Sequence, residues 1–353
     1  MLIPCRSLVG SIFCRTISSR ATQPTLYETL KVIETSPDVF TQPADTLFVF
    51  PNRSSVFGGQ IIGSAMYAAQ KTLTKNYPLH SLHSYFLSGA DNSSPISYTI
   101  QRLRDGRSFE VRSVTARQDN RVVFQCDMSF HQQEQSNLEY QPSSPVNNIQ
   151  QPEELLSFFQ RIQNLLNDPR VKPELRPLIE AALEMPLPLD IRYCDPRDLL
   201  QPEPRWPARK LAWMKSLDPL PNDPHLHRAA IAYASDWVLL STALQPFNIN
   251  KYSLRVKMQA SLGHTMWFHD SFEFQPPIKD PSLTKDESFK PVRRSPLMPP
   301  PPEKLPIHAD DWLLYELICP VATNNRALAF GRIWTRNGRL IVSCAQEGVI
   351  RYE

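Results

Sequence analysis

Two stretches of this chain repeat each other across more than two hundred residues, and that repeat restricts the fold more than any other feature. Residues 105–130, DGRSFEVRSVTARQDNRVVFQCDMSF, align with residues 324–349, NNRALAFGRIWTRNGRLIVSCAQEGV. Arg107 falls on Arg326, Val114 on Ile333, Arg117 on Arg336 and Cys126 on Cys344, with one residue of difference in the turn. Each copy has the period-two pattern of a strand pair. In the first, Val122, Phe124, Cys126, Met128 and Phe130 share one face. Upstream, LHSYFL at Leu82–Leu87 resembles SLGHTMWFH at Ser261–His269, with His83 matched to His264. The spacing between these matched segments is longer in the second copy, which places an insertion at 270–307, a charged, Pro-rich stretch without periodicity.

Each copy also carries an unusually apolar helical stretch. His227–Leu244, HRAAIAYASDWVLLSTAL, is apolar almost all round, as expected of a helix wrapped by other structure. Its twin is Val56–Leu73, with Ile61, Ile62, Ala65, Met66, Ala68 and Ala69 at helical spacing and Gly58-Gly59 before them. Further strands are expected at Thr46–Pro51, Ile96–Arg104, Phe109–Arg117 and Ala212–Leu217, and a short amphipathic helix at Leu26–Val39. Residues 132–210 are rich in Gln, Ser, Asn and Pro, with helical islands at Glu153–Leu166 and Pro173–Met185. The organisation expected is a targeting or unstructured segment at 1–27, a first repeat at 28–131, a connector at 132–210 and a second repeat at 211–353. Two copies of helix plus antiparallel sheet make an α+β double (tandem) hotdog: two central helices, each wrapped by a curled sheet, with the sheets joined by pseudo-twofold pairing. Two sequential domains with separate sheets are the alternative.

Composition excludes several classes of function. A net charge of +3 with no basic, aromatic-laced stripe gives no ground for nucleic-acid binding. The six cysteines show neither a CxxC pair nor metal-ligand spacing, which fits a reducing compartment. No run of about 18 apolar residues is present, so no spanning helix is expected. Residues 1–27 carry Arg6, Arg15 and Arg20, several hydroxyls and no acid before Glu28, the composition of a mitochondrial transit peptide.

The repeats differ where chemistry is possible. Aligning Ser64 with Ser235 sets Asp236 opposite Ala65. On the last strand Gln346 shares a face with Leu340, Val342 and Cys344, where the first copy keeps only apolar residues and Cys126. Ser261 opens the strand that follows the second helix. Asp236, Ser261 and Gln346 lack a histidine base, and no G-x-S-x-G elbow occurs, so a serine-nucleophile triad is not supported. They suit the holding of a water: the carboxylate accepts its proton while hydroxyl and amide orient it. Attack on a thioester also needs oxyanion donors, which backbone N–H groups at Gly58-Gly59 can supply. His264 and His269 are expected to pack rather than act as bases, and Arg104-Asp105-Gly106-Arg107 is a turn with two cations that can meet a phosphate or stay solvated.

The chain resembles the acyl-CoA thioesterase II family, which includes the bacterial thioesterase II and eukaryotic peroxisomal acyl-CoA thioesterases. The motifs that carry the resemblance are Phe57-Gly58-Gly59-Gln60, His83-Ser84-Tyr85-Phe86-Leu87, Arg104-Asp105-Gly106-Arg107-Ser108-Phe109, Tyr233-Ala234-Ser235-Asp236, His264-Thr265-Met266-Trp267-Phe268-His269, Trp312-Leu313-Leu314-Tyr315 and Gln346-Glu347-Gly348. The resemblance implies a double hotdog that hydrolyses acyl-CoA, of medium to long chain, to free fatty acid and CoA without a cofactor or metal. It places the family's catalytic Asp, Thr/Ser and Gln on Asp236, Ser261 and Gln346. It also implies a homo-oligomer in fatty-acid metabolism with no stable membrane insertion, and a peroxisomal matrix location as the alternative to the mitochondrion. One departure stands out. The family has Asp where this chain has Gly263, so a hotdog protein that binds acyl-CoA with weak or lost catalysis is the competing expectation.

Overall fold

The alternation at the end of the first repeat becomes an inner and an outer face of one sheet: Phe124, Cys126, Met128 and Phe130 are buried and Gln125 and Asp127 exposed. In the computed structural model, which describes residues 24–51, 53–134, 139–194, 207–247, 256–270 and 302–352, twelve strands form a single antiparallel sheet. The first six are β1 (Ile33–Ser36), β2 (Val39–Gln42), β3 (Leu79–Phe86), β4 (Ile96–Asp105), β5 (Phe109–Gln118) and β6 (Arg121–His131). The second six are β7 (Leu189–Tyr193), β8 (Arg209–Ser216), β9 (Val256–Phe268), β10 (Leu313–Thr323), β11 (Arg326–Thr335) and β12 (Leu340–Tyr352). Their order across the sheet is β1-β2-β4-β5-β6-β3-β9-β12-β11-β10-β8-β7. Adding six to each strand number of one half reproduces the other in reverse, so the halves share one topology and meet edge to edge. The joint is the β3·β9 pair, with Leu82 opposite Met266, Ser84 opposite His264 and Tyr85 opposite Gly263. This is the tandem hotdog.

Each half wraps one central helix. The helices are α2 (Gly58–Gln70) in the first and α5 (Pro224–Ser235) in the second; α1 (Leu26–Leu30) precedes the sheet, and α3 (Phe158–Leu166) and α4 (Arg176–Leu183) lie between the halves. The central helices lie antiparallel and close. A Cβ on Gly59 would stand 2.4 Å from the Tyr233 carbonyl oxygen, and one on Gly63 2.9 Å from that of Ala229. At the far end Gln70 Nε2 donates to the His225 carbonyl at 3.2 Å. The start of α2 is therefore set against the end of α5. Phe158, Ile162 and Leu165 of α3 and Ile179 of α4 join the same apolar core as these helices.

Several expectations are corrected. The helix expected over Leu26–Val39 is only α1; β1 and β2 follow it, because Ile33–Ser36 and Val39–Gln42 find partners in a hairpin extending the sheet. Thr46–Pro51 is not a strand beyond a single bridge between Val49 and Val56. The stretch expected as connector contains β7, an edge strand paired to β8. The helix expected over His227–Leu244 begins three residues earlier, stops at Ser235 and gives way to a 3-10 segment at Leu240–Phe247. The match of His83 to His264 is out of phase, since His264 is buried under the helices and His83 is exposed on the outer face. Among the described residues no helix is long and apolar enough to cross a membrane. Residues 1–23 and most of the 270–307 insertion lie outside the described residues.

Candidate active site

Asp236 is the C-cap of α5, with φ −81° and ψ −11°. Two residues on, Val238 has φ +57°, a left-handed conformation that a β-branched side chain adopts only at a cost. The chain is thus turned sharply just after the carboxylate. This alters the expected twin: Ala65 lies in the middle of α2, whereas the C-cap of that helix is Lys71. By position in its helix, the counterpart of Asp236 is a lysine.

The three candidates from three different elements meet here. Ser261 Oγ on β9 donates to Asp236 Oδ1 at 3.3 Å. Gln346 Nε2 on β12 donates to the same oxygen and, at 2.7 Å, to Ser261 Oγ. Gln346 is almost fully buried and its Oε1 has no protein partner. Asp236 is half-buried, so it remains reachable. Burial is the largest influence on its acidity and raises its pKa; hydrogen bonds from Gln346, the Gly59 backbone N–H and Ser261 oppose it.

Ser261 reaches this site through an irregularity. Glu347 pairs with Gly263 but Gly348 pairs with Ser261, so Leu262 is the extra residue of a β-bulge. Strict alternation would turn Ser261 and His264 to opposite faces. The bulge shifts the phase by one and brings Ser261 in under the helices. Gly263 lies on the other face, where a Cβ would meet the Ser84 carbonyl oxygen at 3.3 Å and the Tyr85 ring at 3.7 Å. The side chain this chain lacks there would point away from Asp236.

The start of α2 closes the site. A Cβ on Gly58 would stand 2.8 Å from Asp236 Oδ2 and 2.9 Å from Phe86 Cζ, so only glycine lets the carboxylate approach so near. The Gly59 N–H, one of the expected oxyanion donors, lies close enough to the carboxylate to favour its charged form. Negative charge at a helix start is favourable because the first N–H groups have no partner within the helix. On the other side Trp237 packs at 5.2 Å from Phe50, 5.9 Å from Phe57 and 6.2 Å from Phe158.

The remaining candidates do other work. His264 is fully buried, with Nε2 2.9 Å from Ser235 Oγ, and His269 Nε2 lies 2.9 Å from Ser343 Oγ. Asp105 pairs at 2.6 Å with the fully buried Arg112, which makes its turn a structural one. His227, His308 and Asp310 cluster closely enough to hold a cation. Both ring nitrogens of His227 are already taken, however: Nδ1 accepts from the Ala309 N–H at 2.9 Å, and Nε2 donates to the Pro221 carbonyl at 3.1 Å.

The tandem hotdog thus gathers a carboxylate, a hydroxyl and an amide at the end of one of its two central helices. Comparison with known proteins places the chain. Residues 50–131 match the model of the acyl-CoA thioesterase N-terminal domain, residues 204–280 that of acyl-CoA thioesterase, and residues 301–350 that of the acyl-CoA thioesterase C-terminal domain. Acyl-coenzyme A thioesterase 8 of Mus musculus is 34% identical over 302 residues, 85% of this chain and 82% of its own length. Acyl-CoA thioesterase 2 of Haemophilus influenzae is 28% identical over 84% of this chain and 88% of its own. The crystal structure of the acyl-CoA thioesterase II TesB2 from Mycobacterium marinum superimposes with a TM-score of 0.62 at 28% identity, covering 93% of this chain and 97% of that one. The chain belongs to the acyl-CoA thioesterase family.

Proposed function

We propose that the protein hydrolyses medium- to long-chain acyl-CoA to free fatty acid and CoA, with Asp236 as general base and Ser261 and Gln346 fixing the water. The observation that carries this is the direction of the hydrogen bonds. Both hydrogens of the Gln346 amide and the single hydrogen of Ser261 are spent inside the trio. The acceptor capacity not used inside the trio is on Asp236 Oδ2, on Gln346 Oε1, which has no protein partner, and on a lone pair of Ser261 Oγ. A water has two hydrogens to give: Asp236 takes one, and the Ser261 and Gln346 oxygens hold the other. Its oxygen attacks the thioester carbonyl as Asp236 accepts one proton. The tetrahedral intermediate then expels the CoA thiolate, which takes that proton back as the thiol. The Gly58 N–H, at the start of α2 and beside Asp236, is the donor we assign to the developing oxyanion.

The aromatic cluster around Trp237, beside the carboxylate, supports an acyl chain rather than a small acyl group. The test is release of CoA thiol from acyl-CoAs of graded length. Turnover rising from acetyl- to palmitoyl-CoA is expected; binding of palmitoyl-CoA without thiol release would favour the binding protein instead. Gly263, which motivated that alternative, is no longer an argument for it, because a side chain there faces outward.

Compartment and assembly belong to the same proposal. The acid-free residues 1–27 support import into mitochondria. A relative from Saccharomyces cerevisiae, 24% identical over 95% of this chain and 97% of its own length, is named a peroxisomal acyl-coenzyme A thioester hydrolase. A reporter fused to residues 1–30 is expected to enter mitochondria; peroxisomal or cytosolic signal overturns this. The exposed rings of Tyr85 and Trp267 on the outer face at the joint of the halves support a homo-oligomer, and a monomer by light scattering would dismiss it. We also propose the division into repeats at 28–131 and 211–353 about the 132–210 segment, with β7 and the start of β8, which fall inside that segment, belonging to the second half of the one sheet.

A further inference from the structure

Asp236 lies one residue beyond the last turn of α5, so its position is inherited from Ser235. Ser235 is fully buried and held at both of its oxygens. Its carbonyl is among the last of the helix, with no N–H further along the helix to meet it. The Tyr315 hydroxyl from β10 donates to it at 2.5 Å. The Ser235 hydroxyl donates to the Ala232 carbonyl at 2.8 Å and lies 2.9 Å from His264 Nε2 on β9. A hydroxyl has one hydrogen to give. With that hydrogen on Ala232, Ser235 accepts from His264, whose Nε2 carries the ring proton. Burial keeps the ring neutral, pushing its pKa down to about 4.

The two clamping side chains are fitted to this task. The Tyr315 ring lies where Gly331 has no Cβ; one built there would stand 2.5 Å from Tyr315 Cε2. His264 sits directly across the strand pair from Gln346, on the same inner face. The two strands that reach Ser235 therefore lie on either side of β12 and β11, with Gln346 between them.

We propose that His264 and Tyr315 are positioning residues for hydrolysis: they grip the hydroxyl and the carbonyl of Ser235 from two strands, and so hold Asp236 in register with Ser261 and Gln346. This rests on the roles assigned to that trio above. Neither residue touches the substrate, so the loss of either should appear in kcat and leave KM nearly unchanged. A misplacement of reacting groups by about 1 Å costs on the order of 100-fold.

The test is steady-state thiol release from palmitoyl-CoA by four variants of the full chain, with the folded fraction measured by circular dichroism at the assay temperature. Tyr315→Phe removes one oxygen, and His264→Leu removes the ring donor. Each is expected to lower kcat about 10- to 100-fold, with KM within about twofold of the unmodified protein. His264→Gln returns an N–H donor near the position of Nε2 and is expected to recover most of the loss. Should His264→Leu fail to fold, Tyr315→Phe carries the test, since it removes a single heavy atom and leaves the ring in place. A folded Tyr315→Phe with full kcat, or losses that only track the folded fraction, overturns the clamp. The fourth variant, Asp236→Asn, separates the two proposals. If it retains turnover, the roles of the trio are wrong. If it is inactive while Tyr315→Phe is fully active, only the clamp is wrong.

Discussion

Asp236→Asn is expected to abolish hydrolysis while making the protein more stable at neutral pH. Removal of a general base costs about 100- to 10,000-fold, and among the described residues no other carboxylate is hydrogen-bonded to Ser261 or Gln346 to take its place. The geometry should survive, since an asparagine carbonyl still accepts from Gln346 and Ser261. The stability half follows from the direction of the pKa shift. Three donors favour the charged form, yet burial outweighs them and the pKa rises. A carboxyl whose pKa is raised by folding contributes stability that is fully present below its unfolded pKa. That stability is lost as pH rises through the folded value. At neutral pH the folded protein therefore bears a buried charge that asparagine does not. Thermal melts from pH 8 downward should show the variant ahead at the alkaline end, with its lead shrinking as Asp236 takes up its proton in the unmodified protein. Equal melting temperatures at every pH would mean that the carboxylate is comfortably solvated and its raised pKa illusory. For the active protein, the same shift places the acidic limb of kcat/KM above the ordinary aspartate value.

Such a carboxylate stands at the end of one central helix only, and the twin helix shows what the fold does without it. At the C-cap of α2 stands Lys71, an exposed cation where the helix dipole favours one. At the C-cap of α5 stands a half-buried anion, on the wrong end of its own helix. It is tolerated because the start of α2, with the Gly59 N–H, is set against it. The antiparallel packing of the two helices is what brings the favourable end of one to the unfavourable end of the other.

The repeat made the architecture legible, because period-two alternation and a doubled motif leave few ways to bury both copies. Asp236 and Gln346 were legible because the second copy departs from the first at those positions, and Ser261 because it opens the strand that follows the second helix and matches the family motif. What could not be read was the local geometry that joins them. The end of α5 is marked by neither glycine nor proline; the chain turns at Val238, whose side chain argues against the conformation it adopts. The bulge at Leu262 has a trace in Gly263, a glycine inside a strand, but that glycine does not say which residue is doubled, and without the bulge Ser261 would face outward. The strand at Leu189–Tyr193 was hidden because Pro186 and Pro188 precede it and an edge strand needs no strong apolar alternation of its own. The face that Gly263 occupies was not legible either, because its distance along the chain from Ser261 does not fix it when a bulge lies between them.

The second large effect is expected at Gly59, where the glycine serves packing rather than conformation. Its backbone is ordinary helix, so an added methyl group is not opposed by φ and ψ; by propensity alone alanine should stabilise α2 by up to about 1 kcal/mol. The space decides otherwise. A Cβ there would lie 2.4 Å from the Tyr233 carbonyl oxygen, a backbone atom of α5 that no rotamer change can move, and 2.6 Å from Phe57 Cε1. The helices must part, and every contact along their shared length loosens with them. Overpacking of this kind costs about 1–3 kcal/mol and more where backbone must shift. The upper end is expected for Gly59→Ala, read as a lower midpoint in urea. Activity should fall as well, because parting the helices draws the Gly59 N–H away from Asp236, and it should fall even in the fraction that remains folded. A variant with unchanged midpoint would show that α2 and α5 are less closely set than 2.4 Å requires. At Gly58, by contrast, the atoms met are the ends of side chains rather than backbone, Asp236 Oδ2 at 2.8 Å and Phe86 Cζ at 2.9 Å, and both can swing aside. Gly58→Ala should therefore spare stability and lower kcat, so the two neighbouring glycines separate the packing of the helices from the placing of the carboxylate.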